Sequence, residues 1–296
     1  MKWEYLREEE FEDAIKQSGG LCVMCLGCLE KHGQHLPVGT DSLKGDKIVE
    51  LAAEKAGVMM FPTAMWLGDV SSSHIFENPD KHEKHGFIGM NPKTLLKVLE
   101  ELCDEIARNG FTKILLCTSH GGNDALVSLF HRAHFYKKKK YAVMDCKAYD
   151  FANQLQPANI AKVARENPEY LPMITEEDLK TLDRFAETGT GGGHADFKET
   201  MLVYGTYPDL VAPDRFEACD GNSTNRLVFP ANSGVSSYAS WLANYPTVLS
   251  GYPSTGCTRT IGEAAVKMSV DRLADIFTQL KNDNSAVEIM NEIYEM

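Results

Sequence analysis

Two short segments concentrate the residues able to do chemistry. The first runs Glu30-Lys31-His32-Gly33-Gln34-His35-Leu36-Pro37 and continues through Gly39-Thr40-Asp41. The second is Thr118-Ser119-His120-Gly121-Gly122-Asn123. Each follows an apolar run, Leu21 to Leu26 and Ile114 to Cys117, that reads as a buried strand. Carboxylates and neutral imidazoles gathered at strand ends are the oxygen and nitrogen donors of hydrolytic sites built on zinc, manganese or iron. In extended chain, residues i and i+2 point to the same side, so Glu30 and His32 are expected to face one pocket. Asp41 stands just before a helix starting at Ser42, and capping that helix is the alternative to a ligand role. Behind His120, Gly121 and Gly122 allow a close backbone approach and permit positive φ. Their N–H groups, near the start of the next helix, suit a developing oxyanion; a plain strand-to-helix turn is the alternative.

The elements that must position these residues follow from periodicity. Leu21 to Leu26, Val58 to Phe61, Lys113 to Cys117 and Tyr141 to Asp145 read as strands or short apolar runs. Between them, Ser42 to Ala56, Lys93 to Arg108 and Asp124 to Tyr136 carry apolar residues at helical spacing. Alternating strands and helices predict an α/β fold: a mostly parallel central sheet covered on both faces, in three α/β/α layers. Such sheets place their sites beyond the carboxyl ends of the strands, where Glu30 and His120 both fall. Residues 150 to 190 are polar, helical and interrupted by Pro157, Pro168 and Pro172. They read as a helical insertion or cap within a single domain spanning 1 to 296, leading to the glycine-rich turn Gly189 to Gly193. Asp220 to Ser240 reads as loop, and a final helix covers about 262 to 280.

Composition narrows the function classes. The 296 residues carry a formal net charge of −12 and 43% apolar residues, with a pI near 5.2. An acidic chain of this kind argues against a nucleic-acid footprint or an anionic membrane surface as partner. The charged start of the chain lacks a signal-peptide core and no apolar run reaches membrane-spanning length, which together predict a cytoplasmic protein. The one basic run, Lys137 to Lys140, reads as a solvated helix C-terminus. Of eight cysteines, Cys25 and Cys28 form a C-x-x-C with Cys22 nearby. No second pair completes four ligands, so they read as small buried thiols.

A third segment, Gly193-His194-Ala195-Asp196-Phe197-Lys198-Glu199-Thr200, adds an imidazole and a carboxylate before the apolar run Met201 to Tyr204. Together the three segments resemble the creatininase (creatinine amidohydrolase) family. Its first motif, E-x-H-G-x-H-L-P followed by Asp, is intact from Glu30 to Asp41. Its second, commonly N-G-H-G-G-N, reads T-S-H-G-G-N, and its third, commonly H-A-G-x-x-E-T, reads H-A-D-F-K-E-T. Gly251-Tyr252-Pro253 through Gly262 looks like the family's late glycine-rich stretch. The resemblance covers roughly 20 to 145 and 189 to 280. It implies a site for two divalent metal ions, zinc foremost, with manganese or iron as alternatives. By position, Glu30 and His120 would bind one metal, His32 and Glu199 the other, and Asp41 would bridge them. His194 would pass a proton to the leaving nitrogen and His35 would stand on the substrate side. A homo-oligomer, a hexamer built as a trimer of dimers, is implied as well.

Departures from the motifs bear on substrate. Creatininase proper has Tyr-Glu where this chain has Gly121-Gly122, and a Trp-Asp pair where it has Thr190-Gly191. Without that tryptophan to hold a flat ring, creatinine is not the expected substrate. The H-G-G-N pattern is closer to formamide deformylases of pyrimidine intermediates and to the peptidase that trims the mycofactocin precursor. Ser119 and Asp196 replace usual glycines, and Asp196, if near His194, would favour its protonated form. His74, His82 and His85 lie where the family has a substrate-contacting loop; His131 and His134 read as surface or groove residues. The expected activity is hydrolysis of a non-peptide C–N bond in a small cyclic amide or formamide through a metal-activated water. A peptidase acting on a short peptide is the alternative enzyme, and a silent ligand-binding or assembly subunit is the alternative of another class. The intact ligand set argues against the last.

Overall fold

In the computed structural model, residues 1–70, 86–147, 156–188, 193–218, 221–246, 249–251 and 253–295 are described. Leu21–Leu26 (β1) and Lys113–Thr118 (β3) form the centre of a parallel sheet, with Met59–Met60 (β2) beside β1 and Ala142–Lys147 (β4) beside β3. All three pairings are parallel. The register sets Leu26 beside Thr118, so the two segments leaving these strands emerge side by side. The Ser119 N–H then donates to the Leu26 carbonyl at 2.9 Å, extending the pairing one residue into the site.

Alternate strand residues feed two separate cores. Leu21, Val23, Cys25, Leu115 and Cys117 pack on one face against Thr40–Ala56 (α2), Phe197–Thr206 (α7) and Arg259–Asn282 (α9). Cys22, Met24, Leu26, Ile114 and Leu116 pack on the other, against Phe11–Gln17 (α1), Pro92–Arg108 (α3) and Asn123–His134 (α4). Strands buried on both faces need the continuous apolar runs read in the sequence. Pro157–Glu166 (α5) and Glu176–Thr188 (α6) contribute Ile160, Ala161, Ala164, Leu179 and Leu182 to the first core. Tyr238–Asn244 (α8) and Ser285–Glu295 (α10) complete the helices.

The helix-rich face carries the acidic residues of interest. Asp41 lies in the first turn of α2 and Glu199 in the first turn of α7. Helix α9 braces both. Its crossing with α7 is close enough that a Cβ on Gly262 would lie 2.5 Å from the Met201 carbonyl and 2.6 Å from the Gly205 nitrogen. The far end of α9 is pinned by fully buried Lys113, whose Nζ donates to the carbonyls of Leu280 at 2.8 Å, Lys281 at 3.0 Å and Asp283 at 2.9 Å. A lysine capping orphan C-terminal carbonyls also complements the helix dipole.

Gly262→Val should therefore push α9 off α7 and lower unfolding stability by about 1–3 kcal/mol or more, the usual scale for overpacking. An unchanged urea midpoint would show that the two helices do not cross this closely.

Candidate metal centre

Three imidazoles converge, and each is anchored the same way. His120 Nε2 lies 2.8 Å from the Asp69 carbonyl, His32 Nδ1 3.1 Å from the Glu30 carbonyl, and His194 Nε2 2.8 Å from the Lys31 carbonyl. A carbonyl only accepts, so the nitrogen facing it carries the proton. The opposite nitrogens point at carboxylates. His120 Nδ1 is 3.1 Å from both Glu30 Oε1 and Asp41 Oδ2. His32 Nε2 is 3.4 Å from Asp41 Oδ2 and from Glu199 Oε2. His194 Nδ1 is 3.5 Å from Glu30 Oε1. Backbone anchoring of one ring nitrogen to aim the other is the usual arrangement around ligating histidines.

Local chain geometry delivers the carboxylates. Asp41 is not the cap of its helix: α2 begins at Thr40 after Gly39, and the Asp41 carboxylate turns into the cluster instead. Glu199 reaches back from α7 so that Oε2 accepts the Ala195 N–H at 2.7 Å. Ala195 adopts φ +56°, a left-handed turn that aligns this N–H. Asp196 caps the same helix, accepting the N–H groups of Lys198 at 3.1 Å and Gly193 at 2.5 Å. Its carboxylate thus serves the backbone, and burial pushes its pKa up to about 7.

Electrostatics reflect the crowding. Burial works against an imidazolium at His32, yet the Asp41 and Glu199 carboxylates raise its pKa to about 9. For His120 burial again works against the charged ring, but Glu30, Cys28 and Asp41 together raise its pKa well above the ordinary value. Burial also opposes ionisation of Glu199, but Lys44 and His32 bring it down to about 2, and Asp41 is held below its ordinary value by the same two neighbours. Without a cation, then, His32 and His120 take up protons in its place. Glu30 Oε1 and His32 Nε2 are buried with no hydrogen-bond partner. Such orphaned polar atoms are costly and mark a missing ligand. Among the described residues, three overlapping groups each have their ligand atoms within 4.8 Å of one another: Cys28, Glu30, Asp41 and His120; His32, Asp41 and Glu199; and Glu30, His32 and His194. Mixed N and O donors in this arrangement fit divalent cations.

The cluster floors a cavity of about 380 Å³ lined by Gly121, Gly122, His194, Lys198, Tyr238 and Trp241, among others. Gly121 and Gly122 line it without using positive φ. What matters at position 122 is size, since a Cβ there would lie 2.4 Å from His120 Nε2 and 2.7 Å from the Asp69 carbonyl. His35 is buried away from this lining. Its Nε2 meets Thr200 Oγ1 at 2.9 Å and Ser254 Oγ at 3.1 Å, and burial with nearby His32 lowers its pKa to about 4. It braces α7 rather than facing the cavity. His131 pairs with Asp145 at 2.8 Å, and neither it nor His134 joins a candidate ligand group. His74, His82, His85, Thr190 and Gly191 lie outside the described residues.

Three further participants lie outside the three motif segments, Cys28 among them although its C-x-x-C reads only as buried thiols. Trp241, from α8 and just past the segment read as loop, stands edge-on to His194 with ring centroids 5.5 Å apart. The Cys28 thiol donates to Asp41 Oδ2 at 3.0 Å and belongs to a candidate ligand group. Lys44, fully buried, donates to Asp41 Oδ1 and to Glu199 Oε1. Its signal in the sequence was the i, i+3 spacing from Asp41, which on an exposed helix would be an ordinary surface pair.

Residues 4–277 match the family model described as Creatininase: Creatinine amidohydrolase. The chain belongs to the creatininase family. Creatinine amidohydrolase of Pseudomonas putida is 23% identical over 214 residues, covering 70% of this chain and 72% of that protein. Among solved structures, one titled "Creatininase Mn" aligns over 95% of this chain and 99% of its own, at 21% identity and TM-score 0.65. A mutant creatininase of Zn-Zn type aligns over 95% and 98%, at 22% identity and TM-score 0.64. The chain shares the creatininase fold, here a parallel sheet flanked by helices.

Asp41 Oδ2 is the atom common to the His120 and His32 sides of the creatininase-type cluster. Asp41→Ala should therefore strip divalent metal from both sides, as read by elemental analysis of the purified protein. Retention of two equivalents would reject a bridging role.

Proposed function

We propose that the protein is a metal-dependent amidohydrolase acting on a non-peptide C–N bond in a small cyclic amide or formamide. The observation carrying this reading is the set of three imidazole nitrogens aimed at three carboxylates on the floor of a small cavity. In the proposal Glu30 and His120 hold one divalent ion, His32 and Glu199 a second, and Asp41 bridges; zinc or manganese is favoured by the family neighbours. Bound there, the metal pair would acidify a water and polarise the scissile carbonyl.

The chain's own groups supply the rest. Gly121 and Gly122 stand at the start of α4, where helix N–H groups favour negative charge, and they face the developing oxyanion. As water adds to the carbonyl carbon and the C–N bond breaks, the leaving nitrogen needs a proton. His194 is the carrier: its Nε2–H is fixed on the Lys31 carbonyl, so its Nδ1, on the most exposed of the three imidazole side chains at 17%, takes the proton released as the water adds and passes it to the leaving nitrogen. Trp241 walls this side and offers an apolar face to substrate. A backbone too close at Gly122 for any side chain supports grouping the protein with H-G-G-N members and against creatinine as substrate.

The reading treats residues 1–296 as one domain, supported by a core shared among α2, α5, α6, α7 and α9. It further takes the protein as a cytoplasmic homo-oligomer, a hexamer in the family's manner. Leu129, Phe135 and Tyr136, left exposed around the end of α4, support a subunit contact. Among the described residues no helix is long and apolar enough to cross a membrane.

His194→Ala should keep its metal and lose roughly 10²–10⁴-fold in kcat, the scale of a lost general acid. The assay is a screen of lactams, formamides and short peptides with amine detection, creatinine included as a substrate expected to fail. Loss of metal in the variant, or wild-type turnover, would sink the assignment; efficient creatinine hydrolysis would sink the substrate class.

A further inference from the structure

We infer that Cys28 is a further metal ligand: its sulfur completes, with Glu30, Asp41 and His120, a four-donor set that favours Zn²⁺ over Mn²⁺. The inference rests on the metal-dependent reading above and goes beyond it in naming the ion and a ligand outside the three motif segments.

Cys28 follows the end of β1 by two residues and is fully buried. Its carbonyl accepts from Ser42 Oγ at 3.1 Å, so the residue after Asp41 holds the backbone that carries the thiol. Gly68 packs against it as well, since a Cβ there would lie 2.9 Å from the Cys28 Cβ. Main chain and packing thus aim the sulfur at the cluster. There the thiol donates to Asp41 Oδ2 at 3.0 Å, and among the described residues Sγ shares with Glu30, Asp41 and His120 a group whose ligand atoms all lie within 4.8 Å of one another. Within that group His120 Nδ1 is 3.1 Å from Glu30 Oε1 and from Asp41 Oδ2, and Glu30 Oε1 is buried with no hydrogen-bond partner. One nitrogen, two oxygens and one sulfur are the donors of a four-coordinate zinc site. Glu30, Asp41 and His120 line the cavity, whereas Cys28 does not. A bond to its sulfur therefore leaves the cavity side of the ion to water and substrate, where catalytic zinc can open a fifth position.

Sulfur changes which ion fits. A set of carboxylates and imidazoles accommodates manganese as well as zinc, but a thiolate is a soft donor that selects zinc. On binding, the S–H bond breaks, its electron pair stays on sulfur to form the metal bond, and the proton leaves to solvent. A Cys28 that only donates to Asp41 Oδ2 leads to a different expectation. Serine in its place would donate too, and the metal preference would not move.

The test combines zinc-edge X-ray absorption on the Zn²⁺-loaded protein, the near-ultraviolet spectrum of the Co²⁺-loaded protein, and Zn²⁺ and Mn²⁺ affinities of the wild type and Cys28→Ser by chelator competition. The wild type should show a sulfur scatterer at about 2.3 Å from zinc and a sulfur-to-cobalt charge-transfer band. Cys28→Ser should lose both. Its preference for Zn²⁺ over Mn²⁺ should fall at least about 10-fold, the lower end for losing even an outer-shell partner. Zinc outbinds manganese at nitrogen and oxygen sites too, so the change in preference decides, not the preference itself. Nitrogen and oxygen scatterers alone in the wild type, or an unchanged preference in the variant, overturns the inference. If the variant fails to fold, the wild-type spectra decide, because among the described residues Cys28 is the one cysteine in a candidate ligand group. A wild type that binds neither ion fails the metal-dependent reading itself, whereas zinc held without sulfur fails only the role given to Cys28.

Discussion

Three carboxylates and three proton-free imidazole nitrogens cannot share a buried space of this size without positive charge between them. Glu30, Asp41 and Glu199 are each almost fully buried, as are His32 and His120. Oxygens and ring lone pairs stand 3.1–3.5 Å apart. In low dielectric such an arrangement repels strongly, so a cation or protons must fill it. The raised pKa values of His32 and His120 record the proton solution, and one permanent positive charge, Lys44, is built in. What the protein does follows from which cation replaces those protons.

The fold exists around this point. Parallel pairing of β1 with β3 sets the ends of two strands side by side, so that Glu30 and His32 meet His120 without a long loop. From the other direction α2 and α7 bring Asp41 and Glu199 in their first turns, with α9 locking both helices through the Gly205–Gly262 crossing. Backbone carbonyls of Glu30, Lys31 and Asp69 then fix the ring tautomers. Donor positions are thereby set by main chain and core packing, which is what a preorganised site requires.

The sheet, its flanking helices and the six polar residues of the cluster were legible because each signal is local. Apolar runs of strand length, helical periodicity and short polar motifs behind strands are all visible within a few residues. Burial is not. Lys44 on a helix, three residues from an aspartate, looks like a solvated pair until α7 closes over it. Cys28 was readable as a buried thiol but not as a neighbour of Asp41. Trp241 sits just beyond a stretch rich in Asn, Ser and Gly, and only the tertiary path of that segment brings it against His194. Asp196 shows the converse: its closeness to His194 in sequence suggested an electrostatic partner, whereas the helix start claims its carboxylate.

Anomalous X-ray scattering at the zinc edge from crystals of the zinc-loaded protein tests the central claim most directly. Density is expected about 2.0–2.3 Å from His120 Nδ1 and a Glu30 oxygen, with a second peak on His32 Nε2 and Glu199. Peaks confined to other side chains, or a zinc-treated crystal in which His32 and His120 still face the carboxylates with nothing between them, would contradict it.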